Sequence, residues 1–560
     1  MYPRILLSTL NARYIHASLG LRYLLANLGD LREQAALREF SLARPLEDVA
    51  TGLLESLGPE DGRPQILGLG VYIWNVSATT ALVQRLRAMR PGLILVLGGP
   101  EVSHEWAEQD IVALADYLIT GWGELSFPRL CRALLAGERP AEKCIVGEQP
   151  PLDRLALPYA EYSDSDLAQR HLYIETSRGC PFRCEFCLSA LDRTAWPFPL
   201  PRILAALASL YARGARQFRF VDRTFNLSVA HAGAILEFFL AKLAAAPEQP
   251  LFLHFELVPD RLPAPLRTLI LRFPPGVLQF EIGIQSFDPE VQARISRRQD
   301  NAATEANLSW LRQATQAHLH TDLIFGLPGE TLASFAAGFD RLLALEPQEI
   351  QLGVLKRLRG TPILRHSAEW AMDYDPAPPY ALRANRLLAA ESVRDFSRLA
   401  RYWDLLANSG KHPQGVALLL RAETAALPDS PFARFQQFSR WLWQQREQTG
   451  GFSPEDLTDL LFTWLSSEAG LDPALVRAAL RADYLGSGAR GHPRCLLGHL
   501  PKWQHPPRAR HALSSRQAQH RDQAEGAGSS DHGAAQQQPG HGRDTEQGQH
   551  ANPEAQQGQQ

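Results

Sequence analysis

Three of the six cysteines in this 560-residue chain fall within one short stretch, Cys180, Cys184 and Cys187 of YIETSRGCPFRCEFC (173–187). Thiolates gathered like this are donors for a metal ion or an iron–sulfur cluster. Zinc usually takes four ligands, often as Cys-x2-Cys with a second Cys or His pair. Here there are three thiols, and no second pair follows. A four-iron four-sulfur cluster held by three thiolates keeps one iron open, and an open iron can bind a substrate-like ligand. Three ordinary buried thiols or a structural zinc knuckle are the alternatives. The Gly-Cys-Pro head in so cysteine-poor a chain weighs against both.

The rest of the chain must position that loop. At 560 residues it is too long for one core. Its 45% hydrophobic and 21% charged residues describe an ordinary globular protein, and a net charge of −3 gives no case for nucleic acid. Six cysteines, three of them clustered, make no disulfide framework and point to a reducing, cytoplasmic setting. The N-terminus runs into a strand pattern without a signal peptide's apolar region, and no apolar run of membrane length occurs.

Residues 1–140 alternate strands and helices. Strands are expected at Arg4–Thr9, Ile66–Ile73, Leu93–Leu97 and Asp116–Thr120, with helices over 20–28 and 76–89. Continuous apolar strands between helices imply a parallel sheet covered on both faces, which binds ligands at its carboxyl ends. Gly98-Gly99 and Gly121–Gly123 lie at such ends, where missing side chains admit a large ligand, although tight turns explain glycines there equally well. Residues 141–170, rich in Pro and acids, read as a surface linker. From 171 six strands, each followed by a helix, read as a partial (β/α)6 barrel, with the cysteines leaving the first strand. Polar residues end the later strands: Asp222 and Arg223, Glu256, then Glu281, Gln285 and Ser286, then Gly326 to Glu330, then Lys356 to Thr361. For Glu281 and Asp322 a barrel ion pair is an equal alternative, and Arg178 fits either a ligand contact or a loop anchor. Helical periodicity fills 380–484, and beyond 505 the near absence of large apolar residues predicts disorder.

The cysteine spacing, with an aromatic at Phe186, resembles the signature of the radical S-adenosylmethionine (SAM) enzymes. That resemblance implies that Cys180, Cys184 and Cys187 hold a 4Fe-4S cluster and that SAM chelates its open iron, to be cleaved to a 5′-deoxyadenosyl radical. It places SAM against Phe186, Asp222, Arg223, Glu256, Gln285, Ser286 and Gly326. Asp222 would accept from the ammonium, Arg223 would neutralise the carboxylate, and the fourth strand's residues would meet the ribose.

The order of domains, with a doubly wound unit directly ahead of the motif, resembles the cobalamin-binding radical SAM enzymes. The loops LNARYIH (10–16), YIWN (72–75), GGPE (98–101) and GWGE (121–124) are similar to theirs. Asn11, Tyr14, His16, Trp74, Asn75, Gly98, Gly99, Gly121, Gly123 and Glu124 would then face cobalamin. The Asp-x-His-x-x-Gly signature is absent, which implies no histidine on cobalt; His16 and His104 remain loop histidines with that alternative open. The fold implied is α/β: a Rossmann-like cobalamin domain over 1–140, the linker 141–170, a TIM-like radical SAM core over 171–361, a helical C-terminal domain over 362–504 that caps the open side of the barrel, and a disordered tail over 505–560. The function implied is radical methyl transfer to an unidentified substrate, fed by an external electron donor such as flavodoxin or ferredoxin. Cyclisation or rearrangement without methyl transfer needs the same sites. A non-catalytic sensor would have lost the SAM contacts, and they are present.

Overall fold

The computed structural model describes residues 2–421, 424 and 427–501. The segment expected to be disordered, 505–560, lies outside the described residues.

β1 (Ile5–Asn11), β2 (Ala35–Ser41), β3 (Ile66–Gly70), β4 (Ile94–Gly98), β5 (Tyr117–Thr120) and β6 (Cys144–Val146) form one parallel sheet in the order β2-β1-β3-β4-β5-β6. β1 and β3 are buried along their whole length; β3 is apolar throughout, and the polar Ser8, Thr9 and Asn11 of β1 donate to Arg38 O, Gly70 O and His16 O. Helices 46–57 and 76–89 pack Val49, Leu53, Leu82 and Leu86 on one face. Helices 19–26 and 126–135 pack Leu21, Leu25, Phe127 and Leu130 on the other. The strand order reverses direction between β1 and β3, so the loops beyond those strands diverge and leave a crevice. Two strands are new relative to the sequence reading. β2 lies at the sheet's edge, where Arg38 and Glu39 interrupt its apolar run, and β6 is only three residues long.

β7 (Leu172–Ile174) opens the second sheet. A short antiparallel pairing of β8 (Ser177–Arg178) with β9 (Trp196–Pro197) then brackets the cysteine loop. β10 (Gln217–Phe220), β11 (Phe252–Leu257), β12 (Leu278–Gln285), β13 (His318–Phe325) and β14 (Glu349–Val354) follow, each linked to the next by helix. All are parallel, in the order β14-β13-β12-β11-β10-β7: a six-stranded partial barrel.

Both edges of this barrel are closed. At β7, His171 N donates to Ile15 O at 2.7 Å, so the loop after β1 reaches across to the edge strand. At β14, Asn408 accepts from Ile350 N and donates to Ile350 O, both at 3.0 Å, and Trp403 Nε1 donates to the same oxygen at 2.9 Å. Each contact covers part of an edge that would otherwise be open to a second chain.

Two expectations need correction. The segment 141–170 is no surface strap: Leu152, Leu155, Tyr159 and Tyr162 are buried in the barrel's core cluster, and β6 joins the first sheet. Its prolines hid an apolar spacing that packs. The helices after 390 stack on the outer side of β13 and β14, with Phe325 against Phe396 at 4.0 Å, and among the described residues none beyond Leu358 lines either cavity. They seal the barrel's edge rather than roof its active end.

Candidate functional site

Local geometry fixes the cysteine loop before any ligand enters. Gly179 has φ of +85°, and a Cβ there would lie 2.7 Å from Thr194 Oγ1 and 2.8 Å from Ala195 N, so only glycine fits ahead of Cys180. Cys180 N donates to Asp192 O at 2.8 Å. Glu185, 97% buried between Cys184 and Cys187, is the loop's anchor. It accepts from Ser296 Oγ at 2.5 Å, from His366 Nε2 at 2.9 Å and from Arg365.

The three thiols line a cavity of about 160 Å³ over the ends of the barrel strands, together with Phe186, Arg223, Glu256, Glu281, Gln285 and Asp322. Among the described residues no three His, Cys, Asp or Glu side chains converge on a single ion position. Arg223 donates to both oxygens of Glu256, at 2.8 and 2.9 Å. Burial opposes ionisation of all three carboxyls. It raises Glu256, and raises Asp322 to about 6; at Glu281 the His254 hydrogen bond and the His320 charge outweigh it, and the carboxyl is lowered. Gln285 sits at a bulge at the end of β12 with φ of +70°, a conformation costly for a residue with a side chain. Its Oε1 is buried with no hydrogen-bond partner among the described residues. Strain and an unmet acceptor at one cavity-lining residue point to a ligand contact.

A larger cavity, about 520 Å³, lies in the crevice of the first sheet. Gly98, Gly99, Gly121, Gly123 and Glu124 line it, as do Tyr72, His104 and Trp122. Gly99 has φ of +112°, and a Cβ on it would run into Val71 O. Across the crevice the wall belongs to the barrel: Glu175, Arg178, Leu188, Leu191 and Asp192. Leu188, the residue after Cys187, lines both cavities.

Arg178 spans the two units. Its Nη1 donates to Glu124 at 2.6 Å and its Nη2 to Glu175 at 2.8 Å, while its guanidinium lies 4.5 Å from the Trp122 ring centroid and 4.8 Å from that of Tyr23. Glu124 Oε2 remains buried without a partner among the described residues. A second bridge joins the loop after β4 to the loop after β14. Glu101 accepts from Arg359 at 2.9 Å and from Tyr380 at 2.6 Å, and Glu105 from Arg357 at 2.7 Å.

Other expected site residues lie outside the cavity walls. Asp222 is buried against the start of the cysteine loop, accepting from Thr176 N, Thr176 Oγ1 and Ser177 Oγ. Ser286 donates to Glu330 at 2.5 Å, and Gly326 packs against Leu382. Asn75 is fully buried and ties β1 to β3 through Thr9, Leu10 and Gly70. Asn11 donates to Glu39 and to His16 O. His16 Nδ1 lies 2.6 Å from Tyr173 OH, Tyr14 is exposed, and Trp74 stacks on Tyr72 at 4.5 Å. Two cations went unread, Arg297 and Arg298, both lining the smaller cavity; Arg297 Nη1 lies 3.7 Å from Cys184 Sγ, and Gly283 O holds that guanidinium in place. This basic run, Arg297-Arg298, lies beyond the helix that ends at Arg294.

The residues present fit the implied groups. Three thiolates suit a cluster with one iron left open. The unmet Gln285 oxygen and the charged side chains beside it suit a polar, zwitterionic ligand such as SAM. A glycine-edged crevice with an unmet Glu124 acceptor suits a bulky, amide-bearing cofactor such as cobalamin.

Comparison with known proteins agrees with that chemistry. Residues 6–131 match the B12 binding domain, 174–342 the radical SAM superfamily, and 368–525 a family of proteins of unknown function. The chain is 25% identical over 351 residues to the cobalamin-dependent radical SAM methyltransferase TokK of Streptomyces tokunonensis, covering 56% of this chain and 49% of TokK. It is 25% identical over 316 residues to the 2-(S-pantetheinyl)-carbapenam-3-carboxylate methyltransferase of Streptantibioticus cattleyicolor, covering 50% and 45%. It thus spans about half the length of these curated relatives. The solved structure of the cobalamin-dependent SAM radical enzyme OxsB, with aqua-cobalamin and SAM bound, superposes with a TM-score of 0.53 at 12% identity, over 86% of this chain and 84% of OxsB. That of TsrM from Kitasatospora setae, with cobalamin and a [4Fe-4S] cluster bound, gives 0.51 at 18% identity, over 66% and 75%. These likenesses establish the fold. The cofactors of the two matched domains are cobalamin and a 4Fe-4S cluster with SAM. The chain thus carries a B12 binding domain directly ahead of a radical SAM domain, the same pairing of cofactors that the cobalamin-dependent radical SAM relatives bear.

Proposed function

We propose that this protein is a cobalamin-dependent radical SAM enzyme that transfers a methyl group to a substrate carbon or phosphorus. The observation that carries the reading is Leu188: one residue, next to the third cysteine, forms part of the wall of both cavities. Chemistry begun in the smaller cavity is therefore one residue away from the larger. When bound, the cluster with SAM supplies a 5′-deoxyadenosyl radical and cobalamin supplies a transferable methyl group. Both of the relatives compared above are methyltransferases, which supports this choice.

The chain's own residues divide the work. Cys180, Cys184 and Cys187 hold the cluster. Arg297 meets the methionine carboxylate of SAM, since Arg223 is already engaged by Glu256. Gln285 and Glu281 take the ribose hydroxyls, and Phe186 packs beside them. Asp222, Ser286 and Gly326 act one layer back, holding the cysteine loop, Glu330 and the Leu382 contact in place. Gly98, Gly99, Gly121, Gly123 and Glu124 cradle cobalamin. Asn11, Tyr14, His16, Trp74 and Asn75 brace the loops behind that cradle or their junction with β7. An external one-electron carrier such as flavodoxin or ferredoxin reduces the cluster, in a cytoplasmic setting that suits six free cysteines.

The test is anaerobic reconstitution with SAM, methylcobalamin and a reductant. We expect 5′-deoxyadenosine and S-adenosylhomocysteine together. 5′-Deoxyadenosine without S-adenosylhomocysteine would instead indicate cyclisation or rearrangement, and neither product would overturn the reading.

A further inference from the structure

An electron must reach the cluster from outside, and the surface above the cysteine loop has a charge that selects its carrier. Glu185 draws three segments to one point. Besides its side-chain bonds to Ser296, Arg365 and His366, its N donates to Ile295 O and its O accepts from Ile363 N, both at 3.0 Å. Arg183 in the loop, Arg298 two residues beyond Ser296 and at the wall of the smaller cavity, and Arg365 thus stand on the three segments that Glu185 gathers. All three are exposed, and Arg365 retains 61% of its side-chain surface.

Arg183 and Arg298 have no ion-pair partner among the described residues, while the acid facing Arg365 is buried. The exposed acids on the flanking segments are Glu290, which is paired with Arg294; Asp300, whose side chain caps helix 301–314; and Glu369. Leu364, 45% exposed, adds an apolar contact among the arginines. Below this face lies the cluster loop, with Cys187 only half-buried. A local cationic surface on a chain of net charge −3 is a departure that steers oppositely charged partners.

We infer that Arg183, Arg298 and Arg365, set around Leu364, form the docking surface for a small acidic electron-carrier protein. The inference rests on the reading of Cys180, Cys184 and Cys187 as ligands of a redox cluster. No atom is transferred at this surface: the carrier loses one electron and the cluster gains it.

The test uses the full chain with its cluster reconstituted and follows cluster bleaching anaerobically in a stopped-flow instrument, with reduced flavodoxin or with dithionite. Neither Arg183 nor Leu364 lines a cavity, so Arg183→Glu and Leu364→Asp are the variants of choice. For Arg183→Glu we expect reduction by flavodoxin to slow by about tenfold and to lose salt dependence, in line with electrostatic steering. Arg183→Lys should keep the wild-type rate, Leu364→Asp should slow flavodoxin reduction, and dithionite reduction should be unchanged in all. Wild-type flavodoxin rates in both variants would overturn the docking surface alone. Slowing with both reductants would overturn it by showing an effect on the cluster itself. A wild-type chain that dithionite cannot reduce would overturn the cluster reading and the docking surface with it.

Discussion

Glu124 and Arg178 meet at 2.6 Å across the boundary between the first sheet and the barrel, with side chains 7% and 12% exposed. Glu124 ends the GWGE loop, and Arg178 stands two residues ahead of Cys180. Breaking a buried pair by removing one partner costs about 3–5 kcal/mol, because the remaining charge stays desolvated. Arg178→Ala should therefore lose about that much stability in denaturant titration and retain cobalamin poorly. Arg178→Lys, which keeps the charge but not the fork or the stacking on Trp122, should fall between.

Cys184→Ala should abolish the visible absorbance of the reconstituted cluster and all 5′-deoxyadenosine formation. The glycine-edged crevice is built from other residues, so cobalamin should still bind, as read from its spectrum after gel filtration. Joint loss would mean that the two cavities form a single cooperative site.

Gln285→Gly should separate stability from ligand binding. Glycine accepts φ of +70° without strain, so the variant should unfold at a higher temperature, with a gain on the order of 1 kcal/mol. Its affinity for SAM, measured by anaerobic calorimetry, should fall by about tenfold or more with the amide gone. A variant that is less stable and binds SAM normally would show that Gln285 serves the fold.

Glu330 carries a pH signature. Burial raises its carboxyl to about 8, and among the described residues Oε2 has no partner while Oε1 accepts from Ser286. The folded state thus holds the proton more tightly than the unfolded chain does. The resulting stability is fully present below about 4.5, the unfolded value, and is lost progressively as pH rises towards 8. Glu330→Gln should remove this part of the decline, so melting temperatures of variant and wild type should diverge in the variant's favour between pH 5 and 8.

Features dictated by local pattern were legible in the sequence. The unbroken apolar strands, the cysteine spacing and the polar residues at the ends of β11 and β12 each follow from nearby residues. What could not be read depends on partners distant in the chain. Arg178 becomes an interdomain clamp only when Glu124, 54 residues away, folds beside it. Asn75 looked like a loop ligand because nothing local shows that Thr9, Leu10 and Gly70 will take its side chain. Arg297 was hidden because the helix stops at Arg294, releasing the next residues towards the cavity. Tyr159 and Tyr162 were masked by the prolines around them.

The closed edges of the barrel set an order of assembly. Its first strand is finished by Ile15, which precedes it by more than 150 residues, and its last by Asn408, made 58 residues after Ile350. A ribosome releasing this chain has one closing partner waiting before the barrel begins and the other still unmade when the sixth strand emerges. Until that later helix arrives, the nascent protein carries a strand edge open to pairing with another chain.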